Sequence, residues 1–408
     1  MFTHHTPATP ENIAQPTRSR FSVRKVITLL LIAAVFCLAP WGLKRWRSKA
    51  VVETIRNNDG RFYFSHGLCL KGFCLAPHPK LEPFTGTISS IYLPGTVDFQ
   101  VTDEFIDSLG EQPHLSSLSL GSKKFPTTIT DQGLAAITNF PLTDLTIHGG
   151  SITDSGLNML KKCSNLKVLS LHDLEITGEQ FHAASALKSL YTLHLSNIKL
   201  TESGWENISA SPNLVLLDLS QTCITRDGLQ HLSKLKKLAH LSIAQSEIEA
   251  DTLKYLADVK SLKQLNLTGT SINDTHLRQI ANLKSLTFLL LNDSSITDQG
   301  LISLAKLKQL NRLRMENTGI TDAGIKHLIH FDQLTHLELS STKITDKAKD
   351  SLLQIPLLRE IRAHNTKISA NVVESLREAG ITVHCYNSRY RILDSKSLRK
   401  RIASNTLK

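Results

Sequence analysis

The sequence predicts an α/β solenoid, in which stacked repeats place parallel strands on one face and short helices on the other, preceded by one transmembrane helix. Three observations carry this prediction: a repeat of constant length, a change from alternating to helical spacing of the apolar residues within each repeat, and one uncharged stretch near the amino terminus. The 408 residues exceed what one ordinary domain needs, and repetition accounts for that length.

The repeat follows the pattern LxxLxLxxTxIT and keeps a period of twenty-four through most of the chain. Its first leucine recurs at that interval, at Leu142, Leu166, Leu190, Leu214, Leu238, Leu262, Leu286, Leu310, Leu334 and Leu358. Two earlier copies begin at Ile88 and Leu115, and each is three residues longer than the others, which predicts small insertions, one of them around Lys123–Thr127. We therefore expect about 12 repeats over residues 81–386.

Each copy combines a strand pattern with a helix pattern. Leu217 and Leu219 alternate with Asp218, which predicts a strand with inward leucines and an outward aspartate. Leu229 and Leu232 lie three apart, which predicts the buried face of a helix. Threonines at the start of the helix pattern are predicted N-caps, at Thr153, Thr225, Thr297, Thr321 and Thr345. Aspartates after them are predicted to favour the positive end of the helix dipole, at Asp154, Asp298, Asp322 and Asp346.

Motifs such as LVLLDLSQTCITRDGLQHLSKLKKL and LTFLLLNDSSITDQGLISLAKLKQL resemble the leucine-rich repeat family, and the resemblance covers most of the chain after the uncharged stretch. It implies a horseshoe with parallel strands on its concave face and short helices on its convex face. The family often has an asparagine whose amide bonds the backbone of adjacent turns. Here a hydroxyl residue stands instead, at Thr222, Ser246, Thr270, Ser294, Thr318, Thr342 and Thr366. We expect these hydroxyls to bridge the same gap.

Val26–Leu43 contains eighteen residues without a charge. At about 1.5 Å per residue they suffice for a transmembrane helix. A cleaved signal peptide is the alternative, but Pro40 and the basic KRWR after the stretch favour an uncleaved anchor. Four cations lie on each side, so the charge rule barely orients the span, and we expect the long C-terminal part on the extracytoplasmic side. The arrangement is similar to bacterial single-span membrane-anchored leucine-rich repeat proteins.

The other predicted segments are short. They are a disordered basic N-terminal tail over residues 1–25, a juxtamembrane stalk helix and N-terminal cap over residues 44–80, and a basic C-terminal tail over residues 387–408. We expect the cap at Arg61–Leu75, with Phe62 and Phe64 alternating, and the last strand at Ile381–Tyr386. Cys69 and Cys74 either form a disulfide in an oxidising compartment or stay free. The C-terminal tail is either a solvated extension or a contact with anionic lipid or a surface polymer.

Charge and motifs exclude several classes of function. Because +7 and +6 of the net +11 lie in residues 1–50 and 387–408, the long middle carries −2, and we expect no nucleic-acid binding by the solenoid. The sequence contains no CxxC pair, no HExxH helix, no nucleophile elbow and no phosphate-binding glycine loop. It therefore predicts no metal, no cofactor and no catalysis.

The predicted concave face contains a candidate partner-binding site. It comprises Leu216, Asp218, His240, Phe288, Leu290, Arg312, Arg314, His336 and Glu338. Apolar residues occupy outward positions at Phe288 and Leu290, and arginines stand one repeat away, a combination typical of binding hot spots. The alternative is a pair of exposed apolar residues without a role. Six outward histidines are expected to be solvated singly rather than to bind metal or sense pH, at His148, His172, His194, His240, His336 and His364.

The sequence thus favours a non-catalytic, membrane-anchored protein whose concave face binds a protein or a surface polymer. One alternative is a structural protein of the cell envelope without a specific partner. Another is a degradation adaptor similar to eukaryotic repeat proteins with ITDxGL turns. That alternative is weaker, because no adaptor helix domain precedes the array.

Overall fold

In a computed structural model of the chain, the structure describes residues 54, 57, 61–64, 69–70, 73–74, 88–249 and 251–386. The predicted transmembrane helix Val26–Leu43 and the two tails, residues 1–25 and 387–408, lie outside the described residues. Among the described helices, none is long and apolar enough to cross a membrane. In the predicted stalk, Thr54 and Asn57 are helical.

Eighteen strands are formed by the described residues, and most of them are short. In chain order they are β1 Arg61–Phe64, β2 Cys69–Leu70, β3 Phe73–Cys74, β4 Ile88–Leu93, β5 Ser117–Leu120, β6 Asp144–His148, β7 Val168–His172, β8 Thr192–Ser196, β9 Leu216–Asp218, β10 Cys223–Ile224, β11 His240–Ser242, β12 Glu247–Ile248, β13 Gln264–Asn266, β14 Phe288–Leu290, β15 Arg312–Arg314, β16 His336–Glu338, β17 Glu360–Arg362 and β18 Thr382–His384.

Fourteen of these strands form one sheet in the order β1-β4-β5-β6-β7-β8-β9-β11-β13-β14-β15-β16-β17-β18. The pairs from β4 to β18 are parallel, whereas β1 pairs antiparallel with β4 and covers that edge. Ser90 pairs with Ser117 across one of the longer repeats, and Leu145 pairs with Leu169 at the regular interval. The α/β solenoid is therefore confirmed, and its architecture matches a leucine-rich repeat array.

A helix or helical turn follows most of the strands. The α-helices are Asp103–Ser108, Asp131–Ile137, Asp154–Leu157, Ala183–Ala186, Glu202–Ser209, Arg226–His231, Asp274–Ile280, Asp298–Leu304, Asp322–Ile325, Lys349–Leu353 and Ala370–Glu378. The 3-10 segments are Asn158–Lys162, Leu232–Lys234, Leu253–Asp258, Lys326–His330 and Asp346–Ala348. The predicted caps are confirmed: the Thr321 hydroxyl, for example, accepts a hydrogen bond from the Ala323 N–H.

The core lies between the strands and the helices and is built mainly of leucine and isoleucine. Leu217, Leu219, Leu229 and Leu232 are all fully buried, as the spacing predicts. Burial of a leucine side chain contributes about 1.5–3 kcal/mol. Because each leucine contacts the repeats on both sides, that contribution is made only in the stack.

A left-handed residue follows each strand in the middle of the array and recurs at the repeat interval. The positions are Gly149, Asp173, Asn197, Gln221, Gln245, Gly269, Asp293, Asn317, Ser341 and Asn365, with φ between +52° and +69°. Glycine, asparagine and aspartate adopt this conformation at lower cost than other residues, which accounts for most of the side chains found there. The turn directs each chain segment from the strand towards the helix side.

The aspartates after the cap threonines do more than face a helix dipole. Asp298 accepts hydrogen bonds from the N–H and hydroxyl of Thr321 in the next repeat, at 2.8 and 2.6 Å. The same paired bonds join Asp103 to Thr130, Asp131 to Thr153, Asp274 to Thr297 and Asp322 to Thr345. We call this series the Thr-Asp ladder. It connects neighbouring repeats on the helix side, and the sequence analysis did not predict it.

The Thr-Asp ladder also accounts for a glycine in the TDxG motif. A Cβ atom on Gly324 would collide with the Asp298 carboxylate, and one on Gly156 would collide with the Asp131 carboxylate. The carboxylate of one repeat therefore packs directly against the backbone of the next helix. Only glycine leaves that space open.

The predicted bridging hydroxyls mostly do not bridge. Thr270, Thr318 and Thr342 donate to the carbonyl three residues earlier, within their own turn, at 2.6 to 2.7 Å. Ser246 is different: its hydroxyl contacts the Leu219 carbonyl at 3.1 Å and accepts from the Thr222 N–H. The expectation of a bridging ladder is thus wrong for the threonines. A hydroxyl is shorter than an asparagine amide and finds its nearest acceptor locally.

The C-terminal end of the array is formed by β18. This strand is shorter than the predicted one, and Arg377 donates to the Val383 carbonyl at 2.9 Å.

β2 and β3 belong to a separate unit from the array and pair antiparallel, with Cys69 opposite Cys74. Directly opposed positions in a hairpin are close enough for a disulfide, which remains a prediction.

Candidate partner-binding face

The outward side chains of the parallel strands form what we call the strand face, the concave face of the prediction. Two rows of side chains cross it. One row is Leu216, His240, Gln264, Phe288, Arg312, His336, Glu360 and Thr382, and the other is Asp218, Ser242, Asn266, Leu290, Arg314, Glu338, Arg362 and His384. All nine predicted site residues belong to these rows.

The structure divides the predicted residues into two groups. Six of them lie together on the neighbouring strands β14, β15 and β16. The other three, Leu216, Asp218 and His240, lie on β9 and β11, and strand β13 separates them from the first group. The two groups therefore form separate parts of the strand face.

Phe288 and two arginines form the centre of the first group. The guanidinium carbons of Arg312 and Arg314 lie 6.0 and 5.5 Å from the centre of the Phe288 ring, within the range of cation–π attraction. Phe288 and Leu290 are half-buried, whereas both arginines are exposed. Within the described part of the chain, no carboxylate lies within ion-pair distance of either arginine.

Glu338 was predicted to be available for contact, but it is not. Its residue surface is only 8% exposed, and its carboxylate accepts hydrogen bonds from the hydroxyl and the N–H of Ser340. The Arg362 Nε lies 3.9 Å from the second carboxylate oxygen. Outward alternation predicted the direction of this side chain correctly, but the longer neighbours from adjacent repeats cover it.

Glu360 lies beside one arginine and two histidines that the sequence analysis left out or treated singly. Its carboxylate lies 3.2 Å from Arg362, 3.6 Å from His336 and 3.5 Å from His384. Glu360, Arg362 and His384 are in the same two rows as the predicted residues, and that shared register was the signal available in the sequence. With Glu338, they make β16, β17 and β18 a region in which acidic side chains have neighbouring partners.

An open cavity of about 240 Å³ lies between the free arginines and this region. Arg312 and Arg314 line one side, and Glu360 and Arg362 line the other. Leu313, Leu337 and the strand backbones of β15 and β16 lie beneath it. The cavity admits one side chain rather than a metabolite with many groups.

The second group is already hydrogen-bonded. Asp218 lies 3.3 Å from His194 Nδ1, and its other oxygen accepts from the hydroxyl and N–H of Ser220. Burial alone would raise the pKa of Asp218, but the bonds from His194 and Ser220 outweigh it and lower that pKa. Ser242 continues the network, with its hydroxyl 3.0 Å from that of Ser220. This end of the face offers few free polar groups.

His148 and His172 contradict the prediction of singly solvated histidines. They are register partners on β6 and β7, and their rings stack with centroids 4.2 Å apart and planes 14° apart. Burial, and to a lesser extent the neighbouring histidines His148 and His194, lower the pKa of His172 to about 4. The pKa of His148 is also lowered by burial, and among the described residues its buried Nδ1 has no hydrogen-bond partner.

A short row of lysines lies outside the strand face, in the turns before the strands. Lys236, Lys260, Lys284 and Lys308 are exposed and recur at the repeat interval. Lys236 and Lys260 each donate to a backbone carbonyl three residues earlier, and Lys308 lies 3.6 Å from Asp332. The carboxyl end of a helix favours a cation, and Lys236 and Lys260 make their contacts at such ends. In the described residues, no group of three or more histidine, cysteine or acidic side chains could hold a metal ion.

The fold and the site together define a repeat solenoid with an open, partly uncompensated strand face. No family model and no curated protein matches the chain. Solved structures similar in fold include an internalin (inlF) from Listeria monocytogenes, 20% identical, with a TM-score of 0.48 over 74% of this chain and 86% of that one. A leucine-rich repeat protein of Leptospira interrogans is 16% identical, with a TM-score of 0.44 over 78% of this chain and 94% of that one.

A third similar structure is the plant peptide hormone receptor RGFR1 in complex with RGF2. It is 16% identical, with a TM-score of 0.42, and covers 74% of this chain and 51% of that one. Identities in this range concern the fold only. The function has to be argued from the residues of this chain.

Proposed function

We propose that this chain is a non-catalytic leucine-rich repeat protein that binds another protein through its strand face. One observation carries the proposal: Arg312 and Arg314 stack on a half-buried phenylalanine and lack a carboxylate partner among the described residues. Elsewhere on the same face, acidic side chains have local partners. Exposed arginines and partly exposed aromatic side chains are among the residues that contribute most to protein interfaces.

The geometry of the sheet supports a macromolecular partner. Neighbouring strands are about 4.8 Å apart, so the rows from β9 to β18 extend over on the order of 40 Å. The inner strands are paired on both sides, so a partner cannot add a strand there and must be recognised by side chains. A surface polymer would meet the same side chains, but Phe288 and Leu290 favour a partner with apolar groups.

The proposal includes membrane attachment through Val26–Leu43 and an extracytoplasmic solenoid. Its support is the uncharged stretch and its basic flanks in the sequence. Alkaline washing of membranes tests attachment, with a chain lacking residues 26–43 as the comparison. Protease treatment of intact cells tests whether the solenoid lies on the extracytoplasmic side. Release of the full chain by the wash, or its protection from protease, would contradict the respective statement.

A partner-capture experiment tests the strand face. Proximity labelling in the native cell identifies partners of the full chain, and purified partner is then titrated against it. We expect Phe288→Ala with Arg314→Ala to weaken binding by more than about tenfold, since hot-spot truncations cost about 2 kcal/mol or more each. Lys260→Ala with Lys284→Ala is the control and should bind as the unchanged chain does. Equal affinity of both double variants would contradict a site on the strand face.

A further inference from the structure

We infer that the partner presents an extended segment in which a large apolar side chain and a carboxylate are two residues apart. The apolar side chain contacts Phe288 and Leu290, and the carboxylate binds Arg312 and Arg314. This inference rests on the proposed function and specifies the chemistry of its site.

The charges of neighbouring strands favour an acidic partner. On β16 and β17 the carboxylates of Glu338 and Glu360 both lie within ion-pair distance of Arg362, and Glu360 also lies beside His336 and His384, so both carboxylates already have neighbouring partners. On β15 both guanidinium groups are exposed and have no carboxylate within reach among the described residues. The uncompensated charge of this part of the face is therefore positive and confined to one strand. Arginine binds a carboxylate through two parallel hydrogen bonds.

The apolar side of the site adds a second requirement. Phe288 and Leu290 are half-buried, and Leu289 between them is fully buried in the core. Arg312 and Arg314 hold the ring on one side through cation–π contacts. A partner that offered only anionic groups would leave this apolar surface in water. An apolar side chain placed on it gains roughly 25 cal/mol for each Å² buried.

The distance between the apolar pair and the arginine pair limits how far apart the matching side chains of the partner can be. The apolar pair and the arginine pair stand on adjacent strands about 4.8 Å apart. In an extended peptide, side chains on one side recur every two residues, or about 6.6–6.8 Å. The flexible arginine side chains span the difference, and both of them line the 240 Å³ cavity beyond β15, whose lining also includes Glu338, Glu360 and Arg362. An i, i+2 pair therefore fits, whereas adjacent residues would point to opposite sides.

A peptide-display selection tests the inference. Random twelve-residue peptides are selected on the full chain and, separately, on the variant Arg312→Glu with Arg314→Glu. The matched control is Lys260→Glu with Lys284→Glu, which makes the same change of charge in the lysine row. We expect peptides with an acidic residue two positions from a large apolar one on the unchanged chain and on the control, and their loss on the arginine variant.

Selected peptides then give a quantitative comparison. Each is synthesised with its acidic residue and with the matching amide, glutamate to glutamine, and both are titrated by fluorescence anisotropy. We expect the acid to bind the unchanged chain at least about tenfold more tightly than the amide, and we expect this preference to be lost or reversed on the arginine variant, because its two glutamates repel the acid. Equal binding of acid and amide to the unchanged chain, or selection without acidic residues, would overturn the inference.

The failure of the inference can be told from the failure of the proposed function. If the selected peptides are neutral or basic but still lose affinity with Phe288→Ala, the strand face binds peptides and only the acidic specificity is wrong. If affinity depends on Lys260 and Lys284 and not on Phe288, the proposed binding through the strand face is wrong. If no peptide is enriched on the unchanged chain, the inference is overturned, and the native partner from proximity labelling still tests the proposed function.

Discussion

The stacked histidines on β6 and β7 show how one residue's chemistry depends on the next repeat. His172 is partly buried, and His148 lies against its ring, so a proton on either imidazole would lie close to the other ring. Both rings are therefore held neutral to lower pH than a solvated histidine. Neither the stacking of the rings nor their lowered pKa follows from an isolated outward position in a strand.

This arrangement predicts a pH dependence of stability. The pKa of His172 is about 4 in the folded chain, against 6.5 for an ordinary histidine. Because the unfolded chain takes up its proton first, the stability due to neutral His172 is present above pH 6.5 and is lost as the pH falls towards 4. The loss is on the order of 1 kcal/mol, since solvent screens a side chain that is only partly buried.

Urea unfolding at several pH values measures this effect. His172→Gln removes the titrating group, so its stability should fall less between pH 6.5 and 4 than that of the unchanged chain. His148→Gln should also reduce the dependence, because a neighbouring positive charge is then absent. Parallel curves for the unchanged chain and the His172 variant would show that the stack does not lower the pKa.

At the scale of elements, each helix start depends on the repeat before it. Thr321 caps its own helix with its oxygen and donates its proton to Asp298, which in turn begins the preceding helix. The single hydroxyl thus donates one hydrogen bond and accepts another. The Thr-Asp ladder therefore couples helix initiation to the stacking of repeats.

A double-mutant cycle tests the packing of the carboxylate against the glycine. Gly324→Ala puts a methyl group where the Asp298 carboxylate lies, and we expect it to cost about 1–3 kcal/mol of unfolding free energy. In the background of Asp298→Ala the main obstacle is absent and only Leu301 Cδ1 lies close, at 3.2 Å. Alanine also favours the helix by about 0.5–1 kcal/mol over glycine. The cost should therefore shrink or change sign. Additive effects of the two substitutions in urea unfolding would contradict the contact.

At the scale of the whole array, the parallel pairs keep one constant register offset, equal to the repeat length, from β6 to β17. Neighbouring repeats contact each other directly, whereas distant ones do not share a core. Stability is then close to a sum over repeats and their interfaces. This contrasts with a globular core, in which removal of any segment leaves unmatched partners.

Deletion of one full repeat tests that description. Without residues 239–262, β9 can pair with β13 in the same offset, and Leu217 meets Leu265 as it now meets Leu241. We expect the circular dichroism spectrum to keep its shape and unfolding to stay cooperative at a lower midpoint. Deletion of residues 239–250 alone shifts strands against helices and should abolish cooperative unfolding. Loss of folding in both deletions would argue against independent repeats.

The periodic sequence was sufficient to predict the solenoid class, the positions of the strands, the buried leucines and the cap threonines. Those features depend on alternation and spacing within a single repeat, so Leu217, Leu229 and Thr321 could be read without knowledge of their neighbours. It also predicted that Phe288, Arg312 and Arg314 lie together, because a constant repeat length aligns equivalent positions.

Only the tertiary structure decided which side chains on the strand face have partners. Glu338 is covered, Glu360 lies beside one arginine and two histidines, and Asp298 reaches the next repeat instead of serving its own helix alone. These contacts join residues from different repeats, and their outcome depends on side-chain length, rotamer and local burial. Periodicity places such groups side by side, but the balance of hydrogen bonds and desolvation determines which of them stay free.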